Sequence, residues 1–171
     1  MTDLEKFKDY TKIYDSLNGG TIWRHNLVLD TVKVNEYKDN YEAALYFANI
    51  GCEVKILPVL EENNPSRAIT FPNSKPRKCP DLQVNDEYVE VHCPEPDPSK
   101  NTLHTAIKHS SKQADIVFIF LYGKMKQFEL LRITDTRFEL HKGLKQITFF
   151  VVGKKPYSYD RRNYDRRNSN R

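Results

Sequence analysis

Lys75 to Pro94 reads Lys-Pro-Arg-Lys-Cys-Pro-Asp-Leu-Gln-Val-Asn-Asp-Glu-Tyr-Val-Glu-Val-His-Cys-Pro, and the fold turns on how this stretch pairs with itself. Asn85-Asp86 separates two short β-prone runs, and both residue types tolerate the positive φ of a tight hairpin turn. A two-residue turn sets Val84 opposite Glu87, Gln83 opposite Tyr88, Leu82 opposite Val89 and Asp81 opposite Glu90. Because strand side chains alternate between faces, Leu82, Val84, Val89, Val91 and Cys93 form one face, and Asp81, Gln83, Tyr88, Glu90 and His92 the other. The first face belongs against a core. The second opposes two carboxylates, an arrangement that is destabilising unless a cation, a proton or solvent relieves it. An ordinary wet hairpin face is the competing reading, and a four-residue loop would pair Asp81 with His92 instead.

Around the hairpin, the chain of 171 residues suits a single domain. Its net charge of +4 is unevenly placed. Residues 154–171 hold seven basic and two acidic residues, leaving 20 basic and 21 acidic in 1–153, so the body is nearly neutral. Three cysteines, Cys52, Cys79 and Cys93, show no Cys-x-x-Cys spacing, which argues against a disulfide framework or a zinc knuckle and for reduced thiols in the cytoplasm. Met1 to Tyr10 lacks an apolar signal region, and no stretch approaches the roughly 18 apolar residues of a membrane span, so no membrane role is expected.

Leu4, Phe7, Tyr10, Tyr14 and Leu17 recur at helical spacing, predicting an N-terminal helix within 1–18 that ends at Asn18-Gly19-Gly20. Thr21 to Leu29 reads as a strand with Trp23 in the core. Tyr37 to Ile50 is the strongest helix, striped by Tyr37, Tyr41, Ala44, Leu45 and Ala48 and stopped by Gly51, with Glu42 beside the stripe. Cys52 to Leu57 alternates as a strand. From Val59 to Lys78 periodicity disappears; the basic end of this loop, Lys75, Arg77 and Lys78, is placed either to meet phosphate or to keep the surface soluble.

Beyond the hairpin, Ser99 or Asn101 caps a helix whose face is Leu103, Ala106, Ile107, Ser110 and Ala114. Lys108 and Lys112 lie on one flank of it, His109 and Gln113 on the other. Ile116 to Leu121 is an unbroken apolar run, the mark of a central strand. Phe128 to Ile133 and Ile147 to Val152 are further strand candidates. The domain is thus expected to span 19–153. The tail, 154–171, carries the repeat Tyr-Asp-Arg-Arg-Asn at Tyr159–Asn163 and Tyr164–Asn168 and reads as disordered in isolation. Its Arg161, Arg162, Arg166 and Arg167 are positioned to pair with RNA while the tyrosines stack, or else to solubilise the chain.

The resulting class is α+β, a mixed sheet flanked by helices. From Tyr37 the order helix, strand, hairpin, helix, strand resembles the αβββαβ core of the PD-(D/E)XK nucleases. Pro80-Asp81 matches the opening of that family's second strand and Glu90-Val91-His92 its Glu-x-Lys, with Glu42 and Gln113 on the flanking helices. A longer resemblance, over about Gly19 to Tyr122, is to the C-terminal tRNase domains of contact-dependent growth inhibition toxins and their phage-encoded relatives. It rests on Gly19-Gly20, Glu-Ala-Ala-Leu through to Leu57-Pro58, Pro-Asp-Leu-x-Val, Val-Glu-Val-x-x-Pro, Ser-Lys-Asn-Thr and Lys-Gln-Ala-Asp-Ile-Val.

That resemblance implies a nuclease cleaving RNA, tRNA foremost, with Asp81 and Glu90 holding Mg²⁺ or another divalent metal, Glu42 and Gln113 completing the rim, and a cognate immunity protein as partner. The family's Lys is His92 here, which suits a general base near neutral pH or marks an attenuated copy. A barnase-like alternative needs no metal: the RNA 2′-hydroxyl attacks, His92, His104 or His109 serves as acid–base, and Lys112 steadies the phosphate. The other alternative is an inactive nucleic-acid-binding or assembly protein that retains the fold, reading phosphate through Lys75, Arg77, Lys78 and the tail.

Overall fold

The computed structural model describes residues 7–123, 125–151 and 153–169. Its packing gathers into two compact units, 1–89 and 90–171, each with mixed strand pairing and flanking helices, so the class is α+β. Within each unit the strands lie side by side in chain order.

The first unit opens with β1 (Tyr10–Asp15), antiparallel to β2 (Thr21–His25). The helix expected over the N-terminus is therefore replaced by a strand in the part described; Leu4 lies outside the described residues. Tyr10, Thr11, Ile13 and Tyr14 are β-formers, and pairing with β2 outweighs a helical spacing that only five residues supported. The connecting turn is closed by Ser16 N–H donating to Gly20 O at 2.8 Å. A Cβ on Gly20 would stand 2.0 Å from the Ala48 carbonyl oxygen and 2.8 Å from that of Cys52, so only glycine lets these backbones meet.

Strand β2 ends at His25, short of the Leu29 expected, and a single helical turn α1 (Val28–Thr31) follows. Ile22, not Trp23, is the core residue here: Ile22 is fully buried, while Trp23 is half-exposed and stacks on Phe7 with centroids 4.0 Å apart.

Helix α2 (Val34–Asn49) stops at Gly51, whose φ of +91° suits glycine, as expected. Its buried stripe is Asn40, Ala43, Ala44, Phe47 and Ala48, rotated from the expected one, and Glu42 is exposed on the far side. Ala and Phe fill the space against the sheet, and the larger Tyr37 and Tyr41 stay at the flank.

Strand β3 (Glu53–Ile56) runs parallel to β2 and antiparallel to β4 (Leu82–Val84), pairing Lys55 with Gln83 and Ile56 with Leu82. The loop before β4 contains one turn of helix, α3 (Arg67–Thr70). Arg67 pins that loop, with Nη1 donating to Leu60 O at 2.6 Å and Nη2 to Lys78 O.

Strand β5 (Glu87–His92) passes from the first unit into the second. The hairpin register is the one read from the turn: Leu82↔Val89, Gln83↔Tyr88, Val84↔Glu87. Asn85 takes φ +52° and Asp86 does not need a positive value. Leu82 and Val89 are fully buried and Val84 nearly so, each such side chain contributing about 1.5–3 kcal/mol.

In the second unit, α4 (Lys100–Ser110) is capped by Ser99, whose hydroxyl accepts from Thr102 N. Strand β6 (Ile116–Leu121) is parallel to β7 (Gln146–Val151), and β7 is antiparallel to β8 (Tyr157–Asp160). The strand expected over Phe128–Ile133 is instead the start of helix α5 (Gln127–Leu140). Leu130, Ile133, Thr134 and Phe138 give it a buried helical stripe, and the Glu129 carboxylate closes its first turn by accepting from Lys126 N–H at 3.3 Å. Leu103, Ile107, Ile119, Leu130, Phe138 and Phe149 belong to one buried cluster.

Where the tail reads as disordered in isolation, residues 157–168 of it form β8 and helix α6 (Arg161–Asn168), with Asp160 accepting from Asn163 N as N-cap. Arg161 decides this: its guanidinium donates to Leu144 O and Phe138 O at 2.7 Å and to His141 O, and lies 5.0 Å from the Phe138 ring.

Two variants check these contacts. Gly20→Ala should destabilise by about 2–3 kcal/mol in urea denaturation, because backbone must move to admit the methyl. Arg161→Ala should lose about 2 kcal/mol or more as three carbonyls lose a charged donor, whereas the exposed Arg162→Ala should stay within about 0.5.

Candidate functional site

The candidate residues fall into two groups, one in each unit. In the first, Asp81 immediately precedes β4. Its carbonyl accepts from Leu57 N at 2.9 Å and its carboxylate accepts from Asn40 Nδ2 at 3.3 Å. Asn40 is 1% exposed on α2, so the helix residue that meets Asp81 is an amide and not Glu42. The sequence hid this because Asn40 sat one step outside the assumed stripe. Tyr88, facing the same side as Gln83, donates its hydroxyl to Pro72 O at 2.8 Å, and burial pushes its pKa up to about 12.

The second group lies in an open cleft of about 720 Å³ lined by His92 and Cys93 at the end of β5, Glu95, and Asn101, Thr102, Thr105 and His109 of α4. His92 is half-buried; burial first and the neighbouring His109 second lower its pKa below the ordinary imidazole value, so it is neutral near pH 7. Glu90 stands two residues before His92 on β5, on the same side of the strand. Gln113 follows α4 in the turn held by its N–H to Ser110 O, and its Oε1 is buried with no hydrogen-bond partner among the described residues. His104, the third histidine considered, is engaged elsewhere: its Nδ1 accepts from Arg137 Nε at 3.0 Å. Its pKa is lowered by burial and then by Arg137.

Of the basic residues, Arg77 forms an exposed ion pair with Glu62 at 2.7 Å, and Lys78 gives its carbonyl to Arg67. Such an exposed pair is worth about 0–1 kcal/mol and exchanges easily for phosphate. Lys75 sits half-buried in the same loop. Lys108 and Lys112 are exposed. In the tail, Arg161 is a structural residue and Arg167 pairs with Asp135 at 2.6 Å, leaving Arg162 and Arg166 on the open surface.

The donors that would serve a divalent metal are hard carboxylate oxygens, the type Mg²⁺ prefers, and Mg²⁺ is commonly held by one or two carboxylates with water and phosphate completing its shell. Among the described residues no group of three or more His, Cys, Asp or Glu is gathered as a metal cluster. The three cysteines form no disulfide. No described helix is long and apolar enough to cross a membrane.

No family model and no curated protein matches the chain. Its structure is similar to a solved chain of the CdiA-CT/CdiI toxin and immunity complex from Burkholderia pseudomallei, with a TM-score of 0.51 and 16% sequence identity, covering 75% of this chain and 89% of that one. The shared feature is the fold.

The histidines give a pH prediction. His25, His92 and His104 all have lowered pKa values in the folded chain, chiefly through burial. Unfolding lets each regain its ordinary value of roughly 6.5, so the unfolded state binds more protons at mildly acid pH. Stability should be fully present above about pH 7 and fall as pH drops toward 5. Urea titrations across this range should show the decline, and His92→Gln should flatten part of it.

Proposed function

We propose that this protein is a toxin-like nuclease acting on RNA in the cytosol, tRNA being the favoured substrate, and that a cognate immunity protein restrains it. The observation that carries this reading is the hairpin: its register brings Leu82 opposite Val89 on a fold similar to a chain of a toxin–immunity complex, and Asp81 and Glu90 are the adjoining residues.

In the first form of the reading, Asp81 and Glu90 supply carboxylates to Mg²⁺ or another divalent metal, which when bound neutralises charge on the phosphate. Asn40 holds the Asp81 carboxylate in place. His92, neutral near pH 7, takes a proton from the attacking water where the resembling family has Lys. Lys75, Arg77 and Lys78, together with Arg162 and Arg166, offer charge to the RNA backbone. Gln113 brings a buried amide oxygen with no hydrogen-bond partner among the described residues, whereas Glu42, exposed on α2, contributes only if RNA reaches that side of the helix.

A second form is favoured by one observation, that His92 and His109 line the same cleft. There His92 takes the proton of the RNA 2′-hydroxyl, the 2′-oxygen attacks phosphorus, and His109 protonates the departing 5′-oxygen. The products are a 2′,3′-cyclic phosphate end and a 5′-hydroxyl end, with no metal required.

Incubation of total tRNA with the purified protein distinguishes the forms. Cleavage that needs Mg²⁺ and falls about 100-fold or more in Asp81→Asn supports the first. EDTA-resistant cleavage leaving cyclic phosphate ends, reduced about 100-fold in both His92→Ala and His109→Ala, supports the second. Intact tRNA with and without metal, from a protein whose circular dichroism shows it folded, overturns the nuclease reading.

A further inference from the structure

Arg24, near the C-terminal end of β2, is half-buried, and its Nε is enclosed with no hydrogen-bond partner. Among the described residues it enters no ion pair. The other half-buried arginines are engaged: Arg67 and Arg161 donate to backbone carbonyls, and Arg137 donates to His104. A guanidinium carries five N–H donors and stays charged. A buried donor that meets no acceptor costs stability, so its retention points to a group that completes it.

Alternation along β2 puts Arg24 on the face that carries Gly20 and Ile22. That face packs on α2, because a Cβ on Gly20 would run into the Ala48 carbonyl and Ile22 is fully buried. Since α2 joins the parallel strands β2 and β3, it runs back along them. From Ala48 back to Asn40 the helix covers about 12 Å, at roughly 1.5 Å per residue. From Gly20 on to Arg24 the strand covers about 13 Å, at roughly 3.3 Å per residue. Arg24 is therefore level with Asn40, whose Nδ2 donates to the Asp81 carboxylate at 3.3 Å. Strand register agrees: Arg24 pairs with Ile56 of β3, and Ile56 with Leu82 of β4, the residue after Asp81. Two strand spacings, about 9–10 Å, separate the ends of this row, which leaves room for a phosphate group beside the guanidinium. Glu36, one turn before Asn40 on α2 and half-buried, makes no ion pair with Arg24.

The geometry points to Arg24 as a phosphate-binding residue of the Asp81 site, where its planar donors meet a phosphodiester of the RNA strand. A guanidinium offers two parallel N–H groups to two phosphate oxygens, and in a half-buried setting that contact is little screened by salt. A carboxylate by itself repels phosphate, and Arg24 supplies the opposite charge at the same end of the sheet. The inference rests on the metal-dependent form of the nuclease reading for its substrate.

Binding and cleavage by the full chain test it separately. Fluorescence anisotropy with labelled tRNA in EDTA reads binding alone: Arg24→Met should weaken it several-fold and lower the salt slope by about 1, while the exposed-lysine control Lys142→Met should change neither. In Mg²⁺, Arg24→Met should cleave tRNA about 100-fold more slowly, and Arg24→Lys should regain part of the loss. Should Arg24→Met not fold by circular dichroism, the wild-type protein carries the test, since added tRNA should shift the Arg24 Nε–H resonance. No tRNA binding, binding that Arg24→Met leaves unchanged, or an Nε–H signal that tRNA does not move overturns the inference, whether or not the protein cleaves. Binding that depends on Arg24 to tRNA that stays intact in Mg²⁺ supports the phosphate contact and sinks the metal-dependent nuclease instead.

Discussion

Strand β5 buries Val89 only by turning Tyr88 and Glu90 to the other side, and β4 buries Leu82 and Val84 only by turning Gln83 the same way. This period-two constraint is what the functional reading depends on. A one-residue slip would move Val89 out of the core, removing a fully buried side chain from each strand at once, so the apolar face holds the polar one in register. Nothing polar has to be strong for the arrangement to persist. Glu90 and His92 are thus carried on a strand held in place by its opposite, apolar face.

Cations in this chain divide between building the fold and facing solvent. Arg67 and Arg161 spend their donors on backbone carbonyls, Arg67 on Leu60 and Lys78, Arg161 on Phe138, His141 and Leu144. A planar guanidinium suits this because several donors can meet carbonyls at the ends of irregular segments that no helix or strand satisfies. Arg162, the second arginine of the first repeat copy, and Arg166, the first of the second copy, stay exposed. The basic tail is therefore partly a structural clasp, and its charge overstates what it can offer to nucleic acid.

The histidines show the same division. His104 is tied to Arg137, His25 to the Leu27 amide, and His92 faces an open cleft with His109. Burial lowers the pKa of the first three, but only for His92 does that produce a neutral imidazole beside a second one in an accessible space. Lys55 is the comparable case among the lysines, buried beneath the rings of Phe7 and Tyr10.

Much of the middle of the chain was legible in its sequence. The Asn85-Asp86 turn with alternating apolar residues on both sides specified the register; Ser99 announced α4; Gly51 announced the end of α2; and the run Ile116–Leu121 announced β6. These signals are local, set by turn geometry, capping and period. What tertiary structure alone decided was where local preference was balanced or silent. Tyr10 to Asp15 carries both helical spacing and β-forming residues, and pairing with β2 settled it. Gln127 to Leu140 is helical over its full length, while Phe128 to Ile133 viewed alone look like a strand. The tail became ordered because Arg161 found carbonyls distant in sequence. Asn40 replaced Glu42 as the neighbour of Asp81, and Lys55 became a buried cation, because the space between helix and sheet and the rings above the sheet exist only after long-range packing.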